Sequence, residues 1–238
     1  MTVSSSIDQR VSLAVSTVIF ALRPHPDTGL MTLWLPLVRR IREPYQGQRA
    51  LPRGPLEADE DLAASARHTL ERTTELAPNY LEQLYAFGNV DRSHADTAGY
   101  QQSDRVVSIV YWALVRQDEV ARAVDGENVE WFVADEVPDL AFDHNQVVRY
   151  ALDRLRAKIT YSPIAHAFLP PEFTLADLRA VHEAVLRTTL DPANFRRQAL
   201  ASKTLVPTGT CLQGTSHRPP ALFRFEAGAP SPAPEEHR

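Results

Sequence analysis

Carboxylates crowd the stretch 51-LPRGPLEADEDLAASARHTLERTTEL-76, where Glu57, Asp59, Glu60, Asp61, Glu71 and Glu75 follow the Gly54-Pro55 pair. Acids three or four residues apart on a helix converge on one face, where they can hold Mg²⁺ against a diphosphate. The layout therefore suits a pyrophosphate-cleaving site. The interior of the same helix departs from it. Several positions where acids would be needed hold Arg or Thr. Glu71 and Glu75 remain, in the wrong register for that site, and read as a solvated face.

The surrounding pattern shows what must position this helix. Residues 11-VSLAVSTVIFAL-22 are β-branched and apolar and predict a strand, followed by a turn at 23–29 and a second strand at 30–40. A loop covers 42–57, with a short strand near Ala50-Leu51. Leu62, Ala66 and Leu70 recur at helical spacing within 60–76, and Pro78 closes that helix. Strands are expected at 81–88, 105–115 and the start of 129–141, and a helix at 143–159. The polar segment 91–104 is expected to be mobile. His144 is expected to be buried or to cap the helix it opens. These first ~160 residues form strands with two helices, an α/β or α+β sandwich.

A different pattern follows. The segment 160–173 holds three prolines and reads as a junction. Thr174 can cap a helix at 175–186 with Asp177 completing a capping box, and Asp191 can cap one at 192–202 with Pro192 in its first turn. Short strands at 204–209 and 221–226 flank a Gly/Ser/His/Arg loop. Helix, short turn, helix and hairpin is the order of a winged helix-turn-helix. The Pro/Ala-rich tail 227–238 is expected to be disordered.

Charge divides along the same line. The chain's net −5 comprises −9 over residues 1–144, +6 over 145–225 and −2 over the rest. A basic segment behind an acidic one suits a polyanionic partner. No apolar run reaches the ~20 residues needed to span a bilayer. The N-terminus shows no secretory pattern, and Cys211 is the only cysteine, so cytoplasmic residence is the expectation.

The acidic stretch resembles the Nudix box, in which a glycine and a glutamate precede an Arg-Glu pair and a Glu-Glu pair set between bulky aliphatics. Gly54, Glu60, Leu70 and Leu76 match; His68 stands for the arginine, Thr69 for the next glutamate, Arg72 and Thr73 for the metal-binding pair and Glu75 for the final glycine. Over residues 11–226 the chain resembles the Nudix-related transcriptional regulators of NAD metabolism in bacteria. The resemblance runs through 37-LVRRIREPYQGQRALPRG-54, 81-LEQLYAFGNVDR-92, 105-RVVSIVYWALV-115, 139–178 and 194-NFRR-197. Arg53 replaces the second glycine usual in that family's loop, and the wing, 210–220, does not align securely.

The resemblance implies an α+β fold: a Nudix-like α/β/α sandwich with a mixed sheet over residues 1–160, a winged helix-turn-helix over 161–226, and the tail. It implies a homodimeric repressor of NAD synthesis or salvage genes that binds a palindromic operator and senses ADP-ribose or a related NAD derivative. No cofactor, metal or catalytic residue is expected. For DNA the candidates are Asn194, Arg196 and Arg197 on the recognition helix, Lys203 just past it, and Arg218 in the wing. Phe195 is expected in the core. Cations that can meet a diphosphate are Arg39, Arg49, Arg53 and Arg105. The competing expectations are a divergent ADP-ribose or NADH pyrophosphohydrolase, and a module whose basic part contacts protein.

Overall fold

The computed structural model describes residues 11–75, 78, 80–89, 105–120, 128–212 and 219–226. The expected mobile segment 91–104 and the tail 227–238 lie outside them. Strand β1 (Val11–Pro24) is buried along most of its length. It needs two apolar faces because it lies inside a sheet covered on both sides. The sheet runs β3 (Arg49–Ala50), β2 (Met31–Arg39), β1, β6 (Arg105–Val115), β5 (Tyr80–Phe87). β4 (Arg53–Pro55) also pairs with β1, and β7 (Val129–Val133) with β2. β1 and β6 are parallel, and the other pairs are antiparallel, so the sheet is mixed.

The period-two alternation of β1 sends its side chains to two different cores. Ile19 and Ala21 meet Leu70 of helix α1 (Leu62–Thr74), and Val15 meets Ala66 one turn earlier. A short helix α2 (Gln117–Val120), absent from the sequence expectations, adds Val120 to this face. Val18, Phe20 and Leu22 turn the other way, toward helix α3 (His144–Tyr161) with its buried Val148, Ala151, Leu155 and Ile159.

The Pro-rich junction is folded rather than loose. Pro163–Phe168 form a 3-10 helix that buries Ile164, Ala165, Ala167 and Phe168. The expected boundary at 160 therefore falls within the last turn of α3. Helix α4 (Leu175–Leu186) begins with the expected capping box between Thr174 and Asp177. Helix α5 (Pro192–Ala201) begins with the Asp191 side chain accepting from Asn194 N. The hairpin β8 (Leu205–Cys211) and β9 (Ala221–Phe225) follows. Phe173 and Phe223 exchange both backbone hydrogen bonds, at 3.0 and 2.8 Å, which ties the hairpin to the entrance of α4.

Candidate functional site

Two surfaces hold the candidate residues. The first lies beside the loop that carries Gly54. β4 pairs with Ala14–Ser16 of β1, and Thr17 N donates to Pro52 O at 2.9 Å, so the sheet fixes the backbone on either side of Arg53. Opposite it, β2 ends in the arginine-rich run. Between them opens a cleft of about 280 Å³ lined by Arg39, Arg40, Arg42 and Arg53 with Ile41 and Gly54. Among the described residues, no carboxylate lines it.

Two of these arginines also meet an aromatic ring. Arg40 and Arg53 lie over the ring of Phe142, 4.6 and 5.0 Å from its centroid. Tyr45 meets the same ring edge-on at 4.9 Å. Phe142 and Tyr45 both have positive φ, 60° and 66°. Left-handed backbone disfavours bulky side chains at about 1–3 kcal/mol each, and such strain gathers at ligand sites. Here two strained aromatics touch each other beside the cations. Arg40 is held further by its Nε donating to Pro44 O at 2.8 Å.

Of the four predicted effector arginines, the structure brings Arg39 and Arg53 to the cleft. Arg49 is directed elsewhere: it pairs with Glu130 of β7 and lies 5.7 Å from the ring centroid of Phe132, which makes it a tie between sheet strands. Arg105 starts β6 opposite Val11, and its side chain lies outside the described residues. Arg40 and Arg42 were missed, although both belong to the run 39-RRIR-42. Tyr45 and Phe142 were missed because no sequence pattern marks a non-glycine positive φ.

The Nudix-box positions do not fit Mg²⁺. The Thr73 hydroxyl donates to Thr69 O at 2.7 Å, and that of Thr74 to Leu70 O at 2.9 Å, so both turn back onto their own helix. Arg72, Glu71 and Glu75 are exposed. Glu60 faces His68 Nδ1 at 3.5 Å instead of a second acid. Among the described residues no group of three or more His, Cys, Asp or Glu is placed to hold a metal ion. Gly54 itself is not demanded by space, because an added Cβ would meet Thr69 Oγ1 at an ordinary 3.6 Å.

His144 is buried, with Nδ1 accepting from Leu51 N at 2.9 Å. It fastens the floor of the cleft to the start of α3, which is the buried role expected of it.

The second surface is α5. The helix has no fully buried residue, and it rests on partly buried Phe195 and Ala199. Phe195 meets His182 of α4 edge-on at 5.2 Å. Burial lowers the His182 pKa below its usual 6.5, which favours the neutral ring between the helices. The turn between α4 and α5 is fastened by Glu183, which accepts from Leu190 N at 2.8 Å, while Arg179 donates to Leu190 O at 3.2 Å. Asn194, Arg196 and Arg197 are exposed, and Arg197 donates to Asn194 Oδ1 at 2.6 Å. Lys203, exposed with φ 57°, follows the helix. The face can meet a groove with two guanidiniums and one amide. Arg218 lies outside the described residues.

No helix among the described residues is long and apolar enough to cross a membrane.

The chain is similar to known proteins along most of its length. Residues 165–225 match the family described as the NrtR DNA-binding winged helix domain. The chain is 31% identical over 218 residues to the ADPR responsive transcriptional repressor NtrR of Acinetobacter baylyi, covering 90% of this chain and 81% of that one. It resembles Shewanella oneidensis NrtR complexed with a 27mer DNA at TM-score 0.71 and 30% identity, covering 90% of this chain and 93% of that one. A MutT/nudix family protein from Enterococcus faecalis shares the fold at TM-score 0.69 and 19% identity, over 95% of this chain and 90% of that one.

Proposed function

Because the chain belongs to the NrtR family, we propose that it is a repressor of NAD synthesis or salvage genes that binds a palindromic operator as a homodimer and responds to ADP-ribose. The observation that carries the sensing half is the cleft beside the Nudix-like loop, where among the described residues four arginines and no carboxylate line the space. A diphosphate binds arginines through charge-assisted, often bidentate hydrogen bonds and needs no metal there. Arg39, Arg40, Arg42 and Arg53 hold the diphosphate. The strained Tyr45–Phe142 pair offers a ring face to the ribose or base. The cleft is close to the lower end of the ~300–1,000 Å³ usual for ligand sites, so the diphosphate sits inside and the ends of the ligand reach along its rim.

The DNA half rests on α5 and the wing. Asn194 and Arg196 or Arg197 meet base edges, and Lys203 and Arg218 meet phosphates or the minor groove. Pyrophosphatase chemistry is not part of the function. Arg72 and a Thr73 hydroxyl committed to Thr69 O leave no acid pair for a metal at the matching positions.

The test is an affinity selection of DNA fragments from the host genome by the purified protein, with and without ADP-ribose, alongside an AMP-release assay with Mg²⁺. The expected result is one enriched palindrome whose recovery changes with ADP-ribose, and no AMP. Lack of enrichment in both conditions would overturn the repressor. Metal-dependent AMP release at the rate of an intact Nudix hydrolase would overturn the sensor.

A further inference from the structure

One helix touches the supports of both the arginine cleft and the recognition helix. At its N-terminal end α3 meets the cleft. His144 Nδ1 accepts from Leu51 N at 2.9 Å, and Phe142, two residues earlier, lies beneath Arg40 and Arg53. The strand that leads into the cleft is tied to the same place, with Ala141 N donating to Arg49 O at 2.8 Å. An α-helix rises about 1.5 Å per residue and behaves as a rod over a few turns, so a tilt at His144 is felt about 18 Å away at Arg156.

Arg156 is where the rod meets the DNA-binding helices. Its Nη2 donates to both carboxylate oxygens of Asp135, at 2.8 and 2.7 Å, and its Nε donates to Val185 O of α4 at 3.0 Å. Asp135 lies just beyond β7 and is largely buried, its side chain 14% exposed. It also faces Arg187 Nη1 at 3.6 Å. Arg187 is the left-handed residue, φ 53°, that ends α4. Three residues later Leu190 is gripped from both sides by Glu183 and Arg179, and Asp191 then caps α5. Directional bonds thus run from the sheet and α3 through the end of α4 to the first turn of the recognition helix.

The other contacts between these parts are largely apolar, made by residues such as Val181, Ala184 and Val185. Apolar contacts have no preferred direction and tolerate small rotations. A planar guanidinium that holds a carboxylate and a carbonyl at once does not.

We propose that Asp135 and Arg156 are the positioning residues that carry the occupancy of the arginine cleft to the recognition helix. Arg156 anchors α3 to the end of α4, and Asp135 anchors both to the sheet. This rests on the proposed function for the identity of the two ligands, but the mechanical role of the pair can be tested without it. Substituting Asp135 leaves Arg156 and Arg187 facing each other without their shared acid. Substituting Arg156 by lysine keeps the charge and removes the fork.

The experiment uses the full chain, the selected operator duplex and ADP-ribose. DNA affinity is measured with and without saturating ADP-ribose for wild type, Asp135→Asn and Arg156→Lys. Couplings of this kind span about 5–150-fold. The expected result is that the ADP-ribose effect on DNA affinity, in whichever direction, shrinks in both variants to within about twofold of none. ADP-ribose affinity without DNA should stay at the wild-type value. An unchanged effect in both variants overturns the proposal.

A second readout is independent of any effector. Spin labels on Cys211, the single and exposed cysteine, and on a Gln83→Cys substitution in β5 report the distance from the wing to the sheet. The distribution should broaden in Asp135→Asn and Arg156→Lys, and a wild-type width in both overturns the role. If wild type shows no ADP-ribose effect at all, the proposed function fails, and this distance still decides the role of the pair. If Asp135→Asn does not fold, Arg156→Lys and Arg187→Ala decide in its place. Arg187→Ala removes the most exposed member, so a partial loss of coupling and partial broadening are expected, and no change in either readout counts against the proposal.

Discussion

Replacing Arg197 by alanine separates what α5 does in solution from what it does on DNA. In the free protein Arg197 spends one donor on Asn194 Oδ1, at 2.6 Å on the exposed face of the helix. A pair of this kind at i, i+3 contributes about 0.2–0.5 kcal/mol to an isolated helix, so thermal stability should barely change. On DNA the cost depends on the contact made. A side chain that reads a base contributes about 1–3 kcal/mol of discrimination, which is about 5- to 160-fold in affinity. A side chain that meets a phosphate weakens every sequence alike and lowers the salt slope by about 0.9. The Asn194 bond adds a further term. Where turning the Asn194 side chain to adenine breaks its bond from Arg197, the alanine variant is spared that rearrangement. The double variant with Asn194→Ala should then cost more than the sum of the two single ones, because that sum subtracts the spared rearrangement twice. Fluorescence anisotropy on the operator and on a scrambled duplex, across a salt series, measures all of this. Wild-type affinity and an unchanged salt slope in both Arg196→Ala and Arg197→Ala would remove α5 from the interface.

Four other expectations follow from the same geometry. His144→Ala strips Leu51 N of its buried acceptor and should destabilise the protein by about 1–3 kcal/mol in chemical denaturation, before any cavity cost; an unchanged midpoint would show that the tie is dispensable. Arg53→Ala should weaken ADP-ribose binding by about 1.5–3 kcal/mol in calorimetry if its guanidinium meets the diphosphate, with DNA affinity in the absence of ligand unaffected. Thr174→Ala removes half of a capping box and should cost about 0.5–2 kcal/mol, seen as a lower melting temperature. Burial lowers the His182 pKa in the folded chain, so below the usual 6.5 the unfolded chain takes up a proton first. Stability should therefore be full above pH 6.5 and fall with pH below it, and His182→Gln should flatten that part of the profile.

The sequence made the elements legible wherever one local signal decided them. The capping box at Thr174 and the Asp191-Pro192 start of α5 are carried by three or four adjacent residues, and both are present in the structure. β1 was legible because a strand covered on both faces has no polar alternation. The cleft was legible only in part. Arg39 and Arg53 could be named because they flank the Gly54 loop, but whether an arginine enters a cleft or crosses a sheet depends on partners distant in sequence. Arg49 has Glu130 opposite it, 81 residues away, and that acid draws it out of the site. The Tyr45–Phe142 contact is longer still in sequence, and it depends on backbone strain that tertiary packing imposes. The prolines of segment 160–173 mark it as a junction, but they do not show that its Ile164, Phe168 and Phe173 pack into the core.

The change at the Nudix-like helix and the arginines of the cleft make one arrangement. Acids on a helix attract a diphosphate only through a metal, and the metal that binds it also polarises it for attack by water. Arginines bind the same diphosphate directly, and their charge stays fixed on the protein. In the proposed sensor such a cleft retains its ligand unbroken, so the free energy of binding remains available to shift the protein between conformations instead of being followed by hydrolysis. That energy has to reach α5 through something stiff. The cleft is fastened to α3 by His144, and α3 to α4 by Arg156. A sensor whose arginines bound ADP-ribose with no such tie would be saturated by its ligand and leave the DNA-binding face as it was.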